Sequence, residues 1–309
     1  MKKTVDCSLR LVLFALIAGA LAPKSVAGQG SSAMFLLDLP GETVAIRYSH
    51  GALERAVQVQ DNFELMVADF RAWTRTKVGL VLFLLSREEW KEMDYRAPYG
   101  VPEAAGGRGI ALPAWGDDGT VEVWQKLLGT RLPVLPDQPS RGTPEEVASL
   151  GVGDLMASIE ASRIMLRAAG ISGDKPWVDG VLTQVVVLSN IQDHHAARLS
   201  DVRMVFGDLS KAGGGSGAYP LAAMTSPPSL RARLWFDSQL FNGANLLVGP
   251  EGKYPAKAIF KHARKNGGRV RASDLLAECP ELASWLDSSF KAPLFSTVEY
   301  ELAFLQAFI

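Results

Sequence analysis

The run "VGLVLFLLS", Val78 to Ser86, carries no charge and is too short for a helix of ordinary length. A short, continuous apolar run of this kind reads as a central strand buried on both faces. A chain that contains one must supply packing layers on either side of it, which already excludes a purely helical bundle. The surroundings supply such layers. "MFLLDLPGETVAIRYS" alternates apolar and polar residues on both sides of "LPGE", as a hairpin or two adjacent short strands would. Between about Leu53 and Trp73, Val57, Val59, Phe63, Leu65, Met66, Phe70 and Trp73 follow a helical stripe. Ser86 stands as an N-cap before the acids of "REEWKEM", predicting a short helix. "GIALPAW" offers a further strand, while "TVEVWQKLL" fits a strand or a helix start equally well.

The pattern changes at residues 131–144, "RLPVLPDQPSRGTP", where four prolines mark a linker or long surface loop. Thr143-Pro144-Glu145-Glu146 then forms a capping box with proline at the first helical position. Beyond that box most of the sequence has helical period. The expected class is therefore α+β: a mixed sheet with helices over residues 28–142, then a mostly helical part over 143–309. Residues 1–27 are set apart from both. Lys2 and Lys3 precede the apolar stretch Leu11 to Ala22, and Ser25 and Ala27 provide small residues for cleavage before Gly28. Such a segment is a signal peptide, too short to span a bilayer comfortably, and directs the protein to a periplasm or the extracellular space with no stable membrane span after cleavage.

Residues 1–27 hold four basic side chains (Lys2, Lys3, Arg10, Lys24) and one acid (Asp6), so the formal net charge of −1 falls to −4 for the remainder. That balance argues against a nucleic-acid partner. "KHARKNGGRVR" (Lys261 to Arg271) is a basic run read as a helix end and turn. Cys279 is the one cysteine outside the signal, so no internal disulfide can form after its removal, and the residue reads as a small buried hydrophobe.

One helix concentrates the candidate chemistry. In "DLMASIEASRIML" (Asp154 to Leu166), Leu155, Met156, Ile159 and Leu166 form an apolar stripe, and Arg163 lies four residues after Ile159 on the same side. Its stem can pack while its head reaches water or pairs with Glu160. A second predicted helix, "KPWVDGVLTQVVV" (Lys175 to Val187), begins with Pro-Trp. Together with "VLFLLSREEW" and "YGVPEAAGGRGIALPA", these segments resemble the gluzincin, or peptidase MA-like, zinc metallopeptidases over about residues 43–250. The resemblance implies a metallopeptidase-like fold in which "IEASR" (Ile159 to Arg163) stands where the family has His-Glu-x-x-His. Two imidazoles there bind zinc and the glutamate acts on its water.

Carried across residue by residue, the first ligand position is Ile159, the second is Arg163, and the third falls on Gly180, with Asp179 beside it. Only the general-base position is kept, as Glu160. A catalytic zinc site needs about three protein ligands, so the resemblance implies an ancestral-type zinc site that has been lost, hence no metal and no cofactor. The expectation is a catalytically inactive member that binds a peptide or protein or has a structural role. In it, Arg163 neutralises Glu160 or Asp179 within a vestigial cleft.

Two other readings stay open. A hydrolase could rebuild a metal site from Glu160, Asp179 and His194 or His195, although neighbouring helical residues diverge by about 100° and chelate poorly together. Alternatively, the helix is an ordinary core element of an exported α+β protein. No Gly-x-Ser-x-Gly elbow is present. Neither "KAGGGSGAYP" nor "GPEGKYP" has the strand and Gly-Lys-Ser/Thr ending of a phosphate loop.

Overall fold

A computed structural model describes residues 36–130, 132, 142–249 and 254–290. The signal segment 1–27 and nearly all of the proline-rich stretch 131–141 lie outside them.

The uncharged run becomes β3 (Leu80–Leu85), the middle strand of a five-stranded sheet. The predicted pair becomes β1 (Leu37–Leu39) and β2 (Val44–Tyr48), joined antiparallel with Leu39 opposite Ile46. The striped segment between β2 and β3 is α1 (Leu53–Thr74), and a crossover of this length allows β2 and β3 to run parallel, with Ile46 opposite Leu82. Beyond β3 come α2 (Arg87–Glu92), β4 (Glu103–Ala104) and β5 (Gly109–Pro113). β5 pairs parallel with β3 and antiparallel with β4, giving the order β1-β2-β3-β5-β4.

Side chains alternate along β3 and divide the core. Leu80, Leu82 and Leu84 join Phe63, Met66 and Phe70 of α1, while Leu85 and Phe83 turn the other way toward Trp90 of α2. The first face is fully buried; Val81 and Phe83 on the second are only half-buried, so the strand is covered less evenly than its continuous apolar run suggests. Ser86 caps α2 as expected, exchanging hydrogen bonds with Glu89 in a capping box. The ambiguous segment "TVEVWQKLL" falls within a helix, α3 (Asp118–Leu128). Asp117 opens it and Gly129 closes it with a left-handed φ of 73°.

Past the seam, the Thr143 box starts α4 (Pro144–Ala168), which runs without a break through Gly151 and Gly153. It stops before Gly170, whose φ of 64° suits glycine. The remaining elements are β6 (Ser172–Gly173), α5 (Pro176–His194), α6 (Leu199–Ala212), α7 (Leu230–Val248), α8 (Ala256–Lys265), β7 (Arg269–Val270), α9 (Ala272–Glu278) and α10 (Glu281–Ser289). The short parallel pair β6–β7 has no signal in the sequence. The class is α+β, with the mixed sheet in the first half and a mostly helical second half.

The described residues cluster as one compact unit. α4 spans the two halves, packing on α3 and β5 on one side and α5 on the other. α5 is buried on nearly every side: Val178, Val181, Leu182, Val185 and Val186 are all fully enclosed. Each such side chain contributes about 1.5–3 kcal/mol by burial, more than helix propensity could supply to a valine-rich segment. α7 packs on α5, and at Gly180 an added Cβ would sit 2.5 Å from Leu240 Cδ1. Phe206 of α6 stacks on Phe241 of α7 at 4.2 Å, and Trp177 of α5 meets Trp285 of α10 edge-on at 6.3 Å.

Candidate functional site on the fourth helix

α4 places Glu160 and Arg163 one turn apart, and tertiary packing brings α7 alongside them. Glu160 is buried, with 9% of its side chain exposed. Its Oε1 accepts from Arg163 Nη1 at 2.6 Å and also from Arg233 Nη2. The other arm of the Arg163 fork, Nη2, donates to Asp237 Oδ1. Asp237 lies on α7 with only 3% of its side chain exposed, and its backbone carbonyl accepts from Gln184 Nε2 of α5 at 3.3 Å. Two carboxylates and two guanidiniums thus form one balanced network across α4 and α7.

The physical logic is charge compensation. A carboxylate taken out of water costs several kcal/mol unless paired and hydrogen-bonded. A guanidinium presents five donors in a fixed fork, so Arg163 can serve two carboxylates at once where a lysine would serve them poorly. As a permanent cation it also opposes a second positive charge at the same place.

The sequence-derived positions fare differently. Arg163 and Glu160 are together. Asp179 is not a partner of Arg163: its Oδ1 accepts the backbone N–H of Gly173 at 2.6 Å, at the start of α5. Ile159 is 1% exposed and packs in the core. Gly180 faces the isobutyl group of Leu240 of α7. His194 Nε2 lies 2.7 Å from Asp69 Oδ2 of α1, and its ring meets that of His195 at a centroid distance of 6.4 Å. Glu160, Asp179 and His194 are thereby held in three separate contacts. Among the described residues, no three His, Cys, Asp or Glu side chains form a group that could hold a metal ion.

No family model, curated protein or solved structure matches this chain. The chemistry open to the site is set by its own residues.

Sequence reasoning missed Asp237 and Arg233. A signal existed: "LWFDSQLF" (Leu234 to Phe241) sets an acid inside an apolar helical run. An acid so placed needs a cation nearby. It also missed a second buried pair on α4, where Arg55 of α1 grips Asp154 with both arms, Nη1 to Oδ2 at 2.7 Å and Nη2 to Oδ1. Cys279 is buried, and burial followed by the neighbouring Glu281 pushes its thiol above the ordinary range, away from nucleophilic thiolate character.

Proposed function

We propose that this is an exported, metallopeptidase-like protein without peptidase activity, working by binding a peptide or protein or by structural association. The observation that carries this reading is the state of Glu160, the one catalytic position the resemblance retains. Its carboxylate is held by both Arg163 and Arg233. A general base must reach the proton it removes, and this one already accepts from two cations inside a packed helix interface. Ile159 and Gly180 offer no ligand atoms, and Arg163 sets a positive charge where a divalent ion would bind. The neighbouring architecture suits a binding role: α4 packs beside β4, the antiparallel strand at one edge of the sheet, and sheet edges recruit extended peptides through backbone hydrogen bonds.

The test is metal analysis of the purified protein together with a peptide-hydrolysis assay, with and without added zinc. The expected result is substoichiometric zinc and hydrolysis at the blank rate, equal in wild type and Glu160→Gln. Stoichiometric zinc with chelator-sensitive hydrolysis that disappears in Glu160→Gln would overturn the proposal.

A further inference from the structure

One face of α8 is packed and the other is bare. Ala256, Ile259, Phe260 and Ala263 are buried. Phe260 stacks on Trp73 of α1 at 5.8 Å and meets Phe70 edge-on at 5.9 Å. Lys257, Lys261, Arg264 and Lys265 are all exposed. Gly267 and Gly268, with φ of 64° and 86°, then turn the chain into β7. Exposed Arg269 lies on that strand, and exposed Arg271 follows just before α9. Residues 254–271 thus hold six Lys and Arg and no acid, in a chain whose formal net charge is −1, leaving −7 for the rest.

Helix stability does not account for this array. Arg264 and Lys265 in the last turn suit the helix dipole, but Lys257 stands in the first turn, where a cation opposes it. Lys257 with Lys261, and Lys261 with Lys265, are like charges four residues apart, which weaken a helix. Nor does the fold answer the charge. Among the described residues, none of the six cations forms an ion pair with a carboxylate. Two acids beside the patch are already engaged: Asp274 lies 3.2 Å from His262 Nε2, and Asp174 accepts the backbone N–H of Ala272 at 2.8 Å.

We propose that the outer face of α8, with Arg269 and Arg271, docks on an anionic phospholipid surface. Clusters of roughly four to eight Lys and Arg on an amphipathic helix suit negatively charged headgroups. The choice of partner follows from what the face lacks. Among the described residues of 254–271, no large apolar side chain is exposed. Protein interfaces are anchored by aromatic or apolar side chains and are poor in lysine. Single-stranded nucleic acid calls for exposed rings on which its bases stack. Because the apolar face of α8 is committed to the core, the helix has nothing to insert into a bilayer. Attachment is therefore electrostatic, reversible and sensitive to salt.

The experiment is co-sedimentation of the full-length chain with vesicles of phosphatidylcholine alone, or of equal parts phosphatidylcholine and phosphatidylglycerol. Residues 1–27 are the same in every variant, so the readout is the difference in affinity between anionic and neutral vesicles. The expected result is a preference for anionic vesicles that disappears between about 0.1 and about 1 M salt, as the Debye length falls from about 10 to about 3 Å. Each neutralised cation should weaken anionic binding about fivefold, so Lys257→Gln, Lys261→Gln and Arg264→Gln combined should weaken it about a hundredfold. Thermal unfolding of that variant should be no lower than wild type, because the substituted side chains are exposed and two of them repel. Arg269→Gln with Arg271→Gln should weaken binding more than about tenfold. A matched variant at exposed cations elsewhere, Lys91→Gln, Arg96→Gln and Lys126→Gln, should change it less than about threefold, since surface attraction fades within a Debye length. Equal affinity for the two vesicles, an equal loss in the matched variant, or tighter binding to duplex DNA or polyglutamate than to anionic vesicles at equal charge would each overturn the proposal.

Discussion

α4 carries two buried ionic arrangements, and they are built differently. Near its midpoint, Asp154 and Arg55 form a closed pair with 12% and 7% of their side chains exposed. In its C-terminal half, Glu160 and Arg163 belong to a four-membered network whose cations keep 29% and 35% of their side chains in contact with solvent. The closed pair has no reserve: when one member is removed, the other is left charged and dry. The network has an alternative at Glu160, which keeps one guanidinium when the other is lost, but not at Asp237, whose carboxylate is served by Arg163. Burial and redundancy, rather than the number of ion pairs, should therefore decide how much each site matters to stability.

Three substitutions test that contrast. Asp154→Ala strands Arg55 in the core between α1 and α4 and should cost about 3–5 kcal/mol in a denaturant titration. A loss below about 1 kcal/mol would show that Arg55 finds another acceptor and that the pair is not closed. Arg163→Met leaves Asp237, 3% exposed, without its cation although Arg233 still serves Glu160, so a comparable loss of about 3–5 kcal/mol is expected. Arg233→Met should have the least effect, about 1 kcal/mol or less, because its head is the most exposed and Arg163 remains on Glu160. The two arginines share one oxygen, so the double variant should depart from additivity by at least about 0.5 kcal/mol. Additive losses would mean that they act independently.

A packing contrast runs through the same helices. Gly180 of α5 lies against Leu240, whereas Gly170, just past the end of α4, has open space around its Cβ direction. Gly180→Ala should therefore destabilise by overpacking, by about 1–3 kcal/mol, and Leu240→Ala in the same chain should recover part of the loss. Without such recovery, the close approach of α5 and α7 would not be set by that contact.

Much of the architecture could be read in the sequence because it depends on local chemistry. The Ser86 and Thr143 capping boxes fix where α2 and α4 begin, since a side-chain oxygen must satisfy amides within the next turn. The period-2 and period-3.6 stripes mark the main strands and α1. "TVEVWQKLL" stayed ambiguous because its β-branched residues fit either state. Asp117, the cap that decides it, lies ahead of the apolar run, where its role is less evident. β6 and β7, two residues each and about a hundred positions apart, carry no pattern at all. The pairing of Arg163 with Glu160 was legible because three residues bring two side chains onto one helix face. Arg163 with Asp237, 74 residues away, and Arg55 with Asp154, 99 away, were not.

By itself, then, the sequence determined the α+β class, the capped helix carrying Glu160 and Arg163, and the chemistry denied to Ile159 and Gly180, because these depend on residue type and short spacing. Only the tertiary structure decided that Asp237 and Arg233 complete the network, that Leu240 occupies the space at Gly180, and that Asp179 turns to Gly173. Those outcomes depend on which helix packs against which, and that choice minimises exposed apolar surface over the whole molecule rather than within any one segment.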